Sequence, residues 1–245
     1  MNAPVPRPSA TVLLVRDGAA GLEVLMVVRN ERGQYASAMV FPGGGVEAED
    51  ADEAWLDLVD GSAGLETDER ARRIAGFREL YEETGLLLLE SPRSRPQPEP
   101  GEAFLDLVRR SGGRLDLSAM IPFAHWVTPE GAPKRFDTYF RLSWMTAEME
   151  AISDGRETVA VEWLRPADAI ALGASGERNL LFPTKCQLDL LAQSRTVEEA
   201  VAAARSRRIV PVSPTVDRRA DGTFLSIPPE SGYPNREFFM GPPRA

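Results

Sequence analysis

One acidic run in the middle of the chain has the spacing of a metal or acid–base site. It reads Arg78-Glu79-Leu80-Tyr81-Glu82-Glu83-Thr84-Gly85-Leu86. On a helix, Glu79, Glu82 and Glu83 are three and four positions apart and therefore share one face. Like charges at these spacings each cost a helix about 0.2–0.5 kcal/mol. A divalent cation such as Mg²⁺ or Mn²⁺ removes this repulsion, because both ions prefer oxygen ligands. The alternative interpretation of the run alone is a solvated helical face.

A glycine-rich turn upstream favours the metal site. A short apolar piece at 39–41 is stopped by Pro42-Gly43-Gly44-Gly45. Glycine lets a backbone carbonyl approach a metal closely and tolerates positive φ angles. The turn and the acidic run together predict a site for a divalent cation and for the phosphate oxygens that such cations also bind.

These two features together resemble the signature of the Nudix hydrolases. That family's box runs Gly-x5-Glu-x7-Arg-Glu-aliphatic-x-Glu-Glu-x-Gly-aliphatic. The first glycine is matched by Gly44, and the second half is matched by Arg78, Glu79, Leu80, Glu82, Glu83, Gly85 and Leu86. The resemblance implies an α/β fold, namely the Nudix α/β/α sandwich with a mixed sheet, a helical insertion within the box and a C-terminal extension.

The box departs from the family pattern at two points. Asp50 stands where the family has its first glutamate, and 27 residues rather than seven separate it from Arg78. Since aspartate is one methylene shorter, we expect its ion pair with Arg78 to be altered. Loop closure costs rise only slowly with length, so the 20 extra residues need not disturb the metal face. An interrupted box of this kind resembles the branch that includes the peroxisomal coenzyme A diphosphatases and their bacterial relatives.

The resemblance covers most of residues 8–195 and suggests the domain limits. We predict a Nudix hydrolase domain at 8–183, with an insertion at 51–70. A helical and irregular extension at 184–245 would pack on it. An upstream arginine signature of coenzyme A hydrolases is met only loosely, by Arg29 and Arg32.

The resemblance also implies the roles of the site residues. The family cleaves a nucleoside diphosphate linked to another group, by attack of water at phosphorus. The metal ligands for Mg²⁺ or Mn²⁺ would be Glu79, Glu82, Glu83 and the carbonyl of Gly44. The catalytic residues would be Glu79 as a ligand or general base, Arg78 as its orienting partner or as the partner of Asp50, and Glu157 as a second candidate base.

Other polar residues are weighed between binding and structural roles. Arg29, Arg32 and Arg135 are the candidate substrate-binding residues, with Lys134 as a further cation beside them. Glu162 is expected on the outward face of a strand. His125 is expected to be a hydrogen-bonded structural residue, and Cys186 is expected in the core.

The implied substrate is coenzyme A or an acyl-coenzyme A. Two alternatives remain open, namely an ADP-ribose or dinucleotide pyrophosphatase and a non-catalytic ligand sensor on a Nudix scaffold. A sensor is expected to lose box carboxylates and to gain a basic DNA-binding segment, whereas all three glutamates are present here. A third hypothesis assigns the C-terminal segment to assembly.

The elements that must position these residues follow from apolar periodicity and turn residues. A hairpin is predicted from strands at 10–16 and 23–29, and a long helix from Thr67 to Thr84 with Gly85 as its C-cap. Further helices are predicted at 50–59, 102–111, from Pro166, at 185–193 and at 197–205. Further strands are predicted at 86–89, 123–128, 136–144 and 158–164, with two short β-like runs after 209.

Composition bounds the class of protein. The 245 residues include 28 Lys and Arg against 37 Asp and Glu, a net charge of −9, with 43% hydrophobic residues. This is too apolar for a disordered chain, and the acidic balance argues against a nucleic-acid partner. One cysteine and no long apolar run predict a cytoplasmic protein without a membrane partner. The expected partner is a small nucleotide diphosphate substrate, and a homodimer is left open.

Overall fold

The structure, a computed structural model, describes residues 4–30, 37–94, 96, 98, 99, 101–145, 149–153 and 155–242. The strands are β1 (Arg7–Gly18), β2 (Gly21–Arg29), β3 (Ala38–Val40), β4 (Gly43–Gly45), β5 (Val59–Asp60), β6 (Leu115–Asp116), β7 (Ile121–Val127), β8 (Phe136–Trp144), β9 (Thr158–Leu164), β10 (Asn179–Leu180), β11 (Pro211–Val212), β12 (Thr215–Arg219), β13 (Gly222–Ser226) and β14 (Glu237–Gly241). The helices are α1 (Thr67–Thr84), α2 (Phe104–Ser111), α3 (Pro166–Ser175), α4 (Phe182–Leu191) and α5 (Val197–Ser206).

A mixed sheet forms the centre of the molecule. Its strand order is β10-β3-β2-β1-β8-β7-β11, with β4 paired to β1 and β9 paired to β2. β1 and β2 form an antiparallel hairpin, whereas β1 and β8 run parallel from Arg7 opposite Phe136 to Val15 opposite Trp144. The mixed sheet and the surrounding helices confirm the predicted α/β class. β12, β13 and β14 form a separate three-stranded antiparallel sheet.

Both faces of the central sheet are buried, because side chains alternate along each strand. On β1, Val12 and Leu14 belong to one apolar cluster, together with Ile74 and Leu80 of α1. Leu13 and Val15 point the other way, into the cluster that contains side chains of α4 and α5 (Cys186, Leu188, Leu191, Ala200 and Ala204). The sheet therefore lies between α1 on one face and the C-terminal helices on the other.

The long helix α1 has the predicted bounds, Thr67–Thr84. Gly85 follows it with a φ of 69°, a left-handed conformation that favours glycine, and its N–H bonds the carbonyl of Tyr81. The predicted strands β8 and β9 and the start of α3 also match the structure. Because Gly85 caps α1, the last two turns of the helix, which carry Glu79, Glu82 and Glu83, have a defined end.

The predicted helix at 50–59 is wrong. The chain forms two 3-10 helices instead, at Ala48–Ala51 and Glu53–Asp57. The Asp50 side chain accepts a hydrogen bond from the Glu47 N–H at 2.8 Å, and the Asp52 side chain accepts one from the Ala54 N–H at 2.8 Å. Such side-chain bonds to the local backbone compete with a continuous helix.

The predicted strand at 86–89 is also wrong. These residues are irregular, although Leu86 and Leu87 are buried and belong to the cluster beneath α1. Periodicity cannot distinguish a short buried strand from a buried irregular segment. The first β-bridge that the chain forms after α1 is isolated and joins Glu90 to Arg114.

The insertion and the C-terminal segment are both packed against the rest of the chain. Within 51–70, the described residues form the second 3-10 helix, the short strand β5 paired in parallel to β6, and the first turn of α1. In the C-terminal segment, β11 pairs in parallel with β7, and Tyr233 is buried in the core. The domain limits remain a prediction. None of the helices in the described part of the chain has the length and apolar character to traverse a membrane.

Candidate functional site

The acidic residues at the end of α1 lie against the glycine turn. β4 places this turn beside the start of β1, with Gly44 opposite Ala10. The Gly43 N–H donates a hydrogen bond to Glu83 Oε2 at 3.0 Å. A Cβ atom at position 44 would lie 2.5 Å from Glu79 Oε2, closer than any real contact. Only glycine at position 44 leaves room for the Glu79 carboxylate in this position.

Arg78 is the buried centre of the cluster. Its Nε and Nη2 donate to Asp50 Oδ1 and Oδ2 at 3.0 and 2.9 Å, a two-point ion pair. Its Nη1 donates to Glu79 Oε1 at 2.8 Å and to Glu82 Oε2 at 3.2 Å, and its Nη2 also donates to the Gly45 carbonyl at 2.8 Å. The shorter side chain of Asp50 therefore still reaches Arg78 across the insertion.

The Arg78 guanidinium stays fully charged in this environment. Burial alone would lower its pKa, but the hydrogen bonds and charge of Asp50, with Glu79 and Glu82 nearby, raise that pKa above its usual value. This permanently charged, buried guanidinium has four partners, the carboxylates of Asp50, Glu79 and Glu82 and the carbonyl of Gly45. It ties the start of the insertion, the glycine turn and the last turns of α1 to one point.

Burial makes two carboxylates of the cluster reluctant to ionise. Burial raises the pKa of Glu79 to about 7 despite the nearby Arg78, and Glu82 and Asp50 raise it further. Burial also raises the pKa of Glu83 to about 8, against the Gly43 N–H and Arg29, which lower it. Burial raises the pKa of Glu82 as well, although its side chain is 50% exposed. A cation placed beside these groups would favour their charged form.

The donor set fits a divalent metal ion. Among the residues that the structure describes, no three Asp, Glu, His or Cys side chains already surround one point as ligands. The Arg78 Nη1 lies within hydrogen-bond distance of both Glu79 and Glu82. Carboxylate and carbonyl oxygens are nevertheless what Mg²⁺ and Mn²⁺ prefer, and the missing Cβ of Gly44 lets the Glu79 carboxylate lie against the glycine turn.

Arg29 and Glu157 extend the cluster from the neighbouring strands. Arg29 at the end of β2 lies 3.5 Å from Glu83 Oε1 and 3.5 Å from Glu157 Oε2. Thr158 at the start of β9 donates to the Glu83 carbonyl at 3.1 Å. The pairing of β2 with β9 thus brings the candidate base Glu157 to the end of α1.

The cluster opens into a cleft of about 1460 Å³ with two different walls. One wall carries the glycine turn and the charged side chains Arg29, Glu47, Arg78, Glu79, Glu82, Glu83, Arg156 and Glu157. The other wall is largely apolar and contains Trp126, Phe136, Phe140, Phe182, Leu225, Phe238 and Met240. The cleft therefore offers both an ionic and an apolar surface to a single ligand.

The three predicted substrate-binding arginines have different positions. Arg29 lines the cleft. Arg32 lies outside the described residues. Arg135 donates to the carbonyls of Thr128 and Pro4 at 3.0 and 3.1 Å and does not line the cleft among the residues described, whereas its neighbour Lys134 does.

Three other residues lie in structural positions. His125 bonds Asp137 at 2.5 Å and stacks on Tyr139 with 4.1 Å between ring centroids. Glu162 pairs with Arg178 at 2.9 Å. Cys186 is buried, and burial raises the pKa of its thiol to about 12. These positions agree with the structural roles expected for His125 and Cys186.

Sequence reasoning missed several cleft residues. Arg156 lines the cleft, and it could have been predicted there because it directly precedes the candidate base Glu157. Glu47 lies on the same wall, just after the glycine turn. Leu225, Phe238 and Met240 come from β13 and β14, and no local pattern ties these distant strands to the acidic run.

Comparisons with known proteins identify relatives over most of the chain. Acyl-coenzyme A diphosphatase NUDT19 of Gallus gallus is 28% identical over 91% of this chain and 76% of its own length. Its human counterpart is 24% identical over 88% of this chain and 73% of its own length. No family model matches the chain.

A solved structure shares the architecture. The crystal structure of a NUDIX hydrolase from Alicyclobacillus acidocaldarius superposes with a TM-score of 0.71 at 28% identity. The match covers 84% of this chain and 99% of that one. The two chains therefore share their fold.

Proposed function

We propose that this chain, which has the Nudix hydrolase fold, is a Mg²⁺- or Mn²⁺-dependent diphosphatase that acts on coenzyme A or acyl-coenzyme A. Its products would be adenosine 3′,5′-bisphosphate and a 4′-phosphopantetheine. The observation that carries the proposal is the Glu79 carboxylate seated against Gly44 at the charged end of the cleft. The relatives named acyl-coenzyme A diphosphatase support the choice of substrate.

The residues of the charged wall would divide the work. Glu79, Glu82, Glu83 and the Gly44 carbonyl would hold the metal. A bound divalent ion neutralises phosphate oxygens and lowers the pKa of a coordinated water. Arg78 fixes Glu79, and Asp50 in turn fixes Arg78.

A proton must leave the attacking water, and two carboxylates are candidates to accept it. If Glu79 does not coordinate the ion, it could act as the base: in the metal-free site burial raises its pKa to about 7. Glu157 lies on the cleft wall beside Arg29, with a more exposed side chain. We favour Glu79, because its position is fixed by both Arg78 and the glycine turn.

Cationic side chains on the cleft would bind the substrate phosphates. Arg29, Lys134 and Arg156 all line it. The chain as a whole has a net charge of −9, so local cations must counter the general repulsion of an anionic substrate. Arg32 stays a prediction for this role. Arg135 is a weaker candidate than Lys134, because its guanidinium already bonds two carbonyls.

A turnover panel tests the substrate. With Mg²⁺ or Mn²⁺ present, we expect hydrolysis of coenzyme A and acetyl-coenzyme A to exceed that of ADP-ribose, NADH, diadenosine polyphosphates and dNTPs. Cleavage of ADP-ribose without cleavage of coenzyme A would favour the alternative pyrophosphatase. No turnover, together with tight binding of one of these ligands, would favour the sensor. A homodimer and a cytoplasmic location stay predictions.

A further inference from the structure

The apolar wall of the cleft includes one face of the C-terminal three-stranded sheet. β13 and β14 pair antiparallel, with Leu225 opposite Phe238 and Phe224 opposite Phe239. Leu225, Phe238 and Met240 line the cleft. Phe224 and Phe239 contact each other with 5.3 Å between ring centroids and do not line it among the residues described. The sheet therefore has a cleft face and an outer face.

Aromatic contacts fix this sheet to the core. Phe238 stacks on Phe182 with 5.1 Å between centroids, and Phe182 meets the edge of Trp126 at 5.6 Å. The Trp126 Nε1–H donates to the Tyr233 hydroxyl at 2.9 Å, and that hydroxyl donates to Gln187 Oε1 at 2.9 Å. The cleft face is thus held in place before any ligand binds.

The cleft extends from the charged wall to the apolar side chains. At about 1460 Å³ it exceeds the 300–1,000 Å³ of a usual small-molecule pocket. Met240 borders it and leaves 54% of its surface exposed. An apolar group that covers this surface would be stabilised in proportion to the area removed from water. The ligand that fits is one with an anionic end and an apolar end.

We infer that the cleft face of the C-terminal sheet, formed by Leu225, Phe238 and Met240, binds the acyl chain of the substrate and sets a preference for longer acyl groups. The inference rests on the proposed function, because it presumes an acyl-coenzyme A in the cleft. The diphosphate would lie at the acidic cluster while the thioester-linked chain follows the apolar wall. Coenzyme A, which lacks the acyl chain, would make fewer contacts with Leu225, Phe238 and Met240.

Two matched variants on β14 test the inference. Met240→Asp places a charge on the cleft face, and Phe239→Asp places one on the outer face. The two native side chains are similarly exposed, at 54% and 52%. The measurement is kcat/KM for coenzyme A, acetyl-coenzyme A and octanoyl-coenzyme A, with KM and kcat determined separately.

For Met240→Asp we expect the octanoyl-to-coenzyme A ratio of kcat/KM to fall by about tenfold, mainly through KM, because an apolar contact made by the acyl chain is lost. Phe239→Asp should leave that ratio unchanged. An unchanged ratio in Met240→Asp, or an equal fall in both variants, would overturn the inference while the proposed function stands. If the wild-type chain cleaves neither coenzyme A nor its acyl derivatives, the proposed function fails first and the inference falls with it.

Discussion

The two walls of the cleft are built in opposite ways. The charged wall comes mainly from one helix end and one glycine turn, joined by five hydrogen bonds from Arg78. The apolar wall comes from β7, β8, α4, β13 and β14, which span a long stretch of the chain. The chemistry is therefore concentrated in a short motif, whereas the surface that would select the substrate is dispersed.

The walls also differ in what they contribute to stability. Arg78 and Glu83 of the charged wall are buried, as is Asp50, the ion-pair partner of Arg78, and burying charges has a cost that their partners offset. Trp126 and Phe182 of the apolar wall are buried, and Trp126 also contacts the buried ring of Tyr233; these contacts favour folding. Changes in the first wall should affect turnover most, and changes in the second should affect stability and substrate preference.

The largest effect should follow from Glu82→Gln. The side chain is 50% exposed, so the fold should remain intact. Loss of a metal-binding carboxylate should lower kcat by about a thousandfold, because a bound cation contributes several kcal/mol of transition-state stabilisation. Steady-state kinetics with Mg²⁺ and circular dichroism would measure the two outcomes. Activity near the wild-type level would show that this carboxylate is not a ligand.

Gly44→Ala should come next. The added Cβ would lie 2.5 Å from Glu79 Oε2 and so displace the carboxylate. We expect about a hundredfold loss of kcat/KM, since small displacements in a catalytic constellation have effects of this size.

Gly45→Ala is the matched control for that change. A Cβ at position 45 meets no atom within 4 Å, and the carbonyl that accepts from Arg78 is retained. This variant should keep wild-type kinetics. Equal losses in both variants would mean that the turn itself, rather than the space for Glu79, is what matters.

Stability in the absence of metal should depend on pH through the charged wall. Glu79 and Glu83 have native pKa values raised to about 7 and about 8, against a usual value of 4.5. The native state then binds more protons than the unfolded state between pH 4.5 and 8, so stability falls as pH rises through that window. We expect the Tm with EDTA to fall by several degrees from pH 5 to pH 8.

Magnesium should reverse this trend. It binds ionised carboxylates, so the rise in Tm on adding Mg²⁺ should be larger at pH 8 than at pH 5. Differential scanning fluorimetry at both pH values measures this directly. Glu83→Gln should reduce the pH dependence, and a Tm that rises with pH in EDTA would contradict the assignment.

The smallest effect should come from Tyr233→Phe, a change at the hydrogen-bond partner of Trp126 in the apolar wall. The missing hydroxyl leaves the Trp126 N–H and Gln187 Oε1 without their shared partner. A buried group left unsatisfied costs about 1–3 kcal/mol. Denaturant unfolding should show that loss of free energy, whereas turnover of coenzyme A should change little. Unchanged stability would mean that water replaces the hydroxyl.

The charged wall could be predicted from sequence because its signals are local. α1 has the predicted bounds, and the run Arg78–Glu83 has the expected spacing on one face, next to the predicted glycine turn. The contact between Asp50 and Arg78 does not follow from sequence alone, because it depends on how the 27 intervening residues fold.

The apolar wall, and the true structure at 50–59 and 86–89, depend on contacts that a short sequence pattern does not specify. The helix predicted at 50–59 failed because Asp50 and Asp52 bond nearby backbone N–H groups. The strand predicted at 86–89 failed because a buried apolar run does not specify a ladder partner. The cleft face of β13 and β14 depends on tertiary packing that no short pattern records.

Trp55 gives the inserted segment an anchor of its own. Its ring is buried against Phe104, and its Nε1–H bonds the Glu49 carbonyl at 3.0 Å. The stretch after this anchor ends in the turn Gly61-Ser62-Ala63-Gly64, and a Cβ at Gly64 would meet nothing within 4 Å. The Gly64 end of this turn is therefore an open surface position, separated in the chain from Asp50, the ion-pair partner of Arg78, by the buried Trp55.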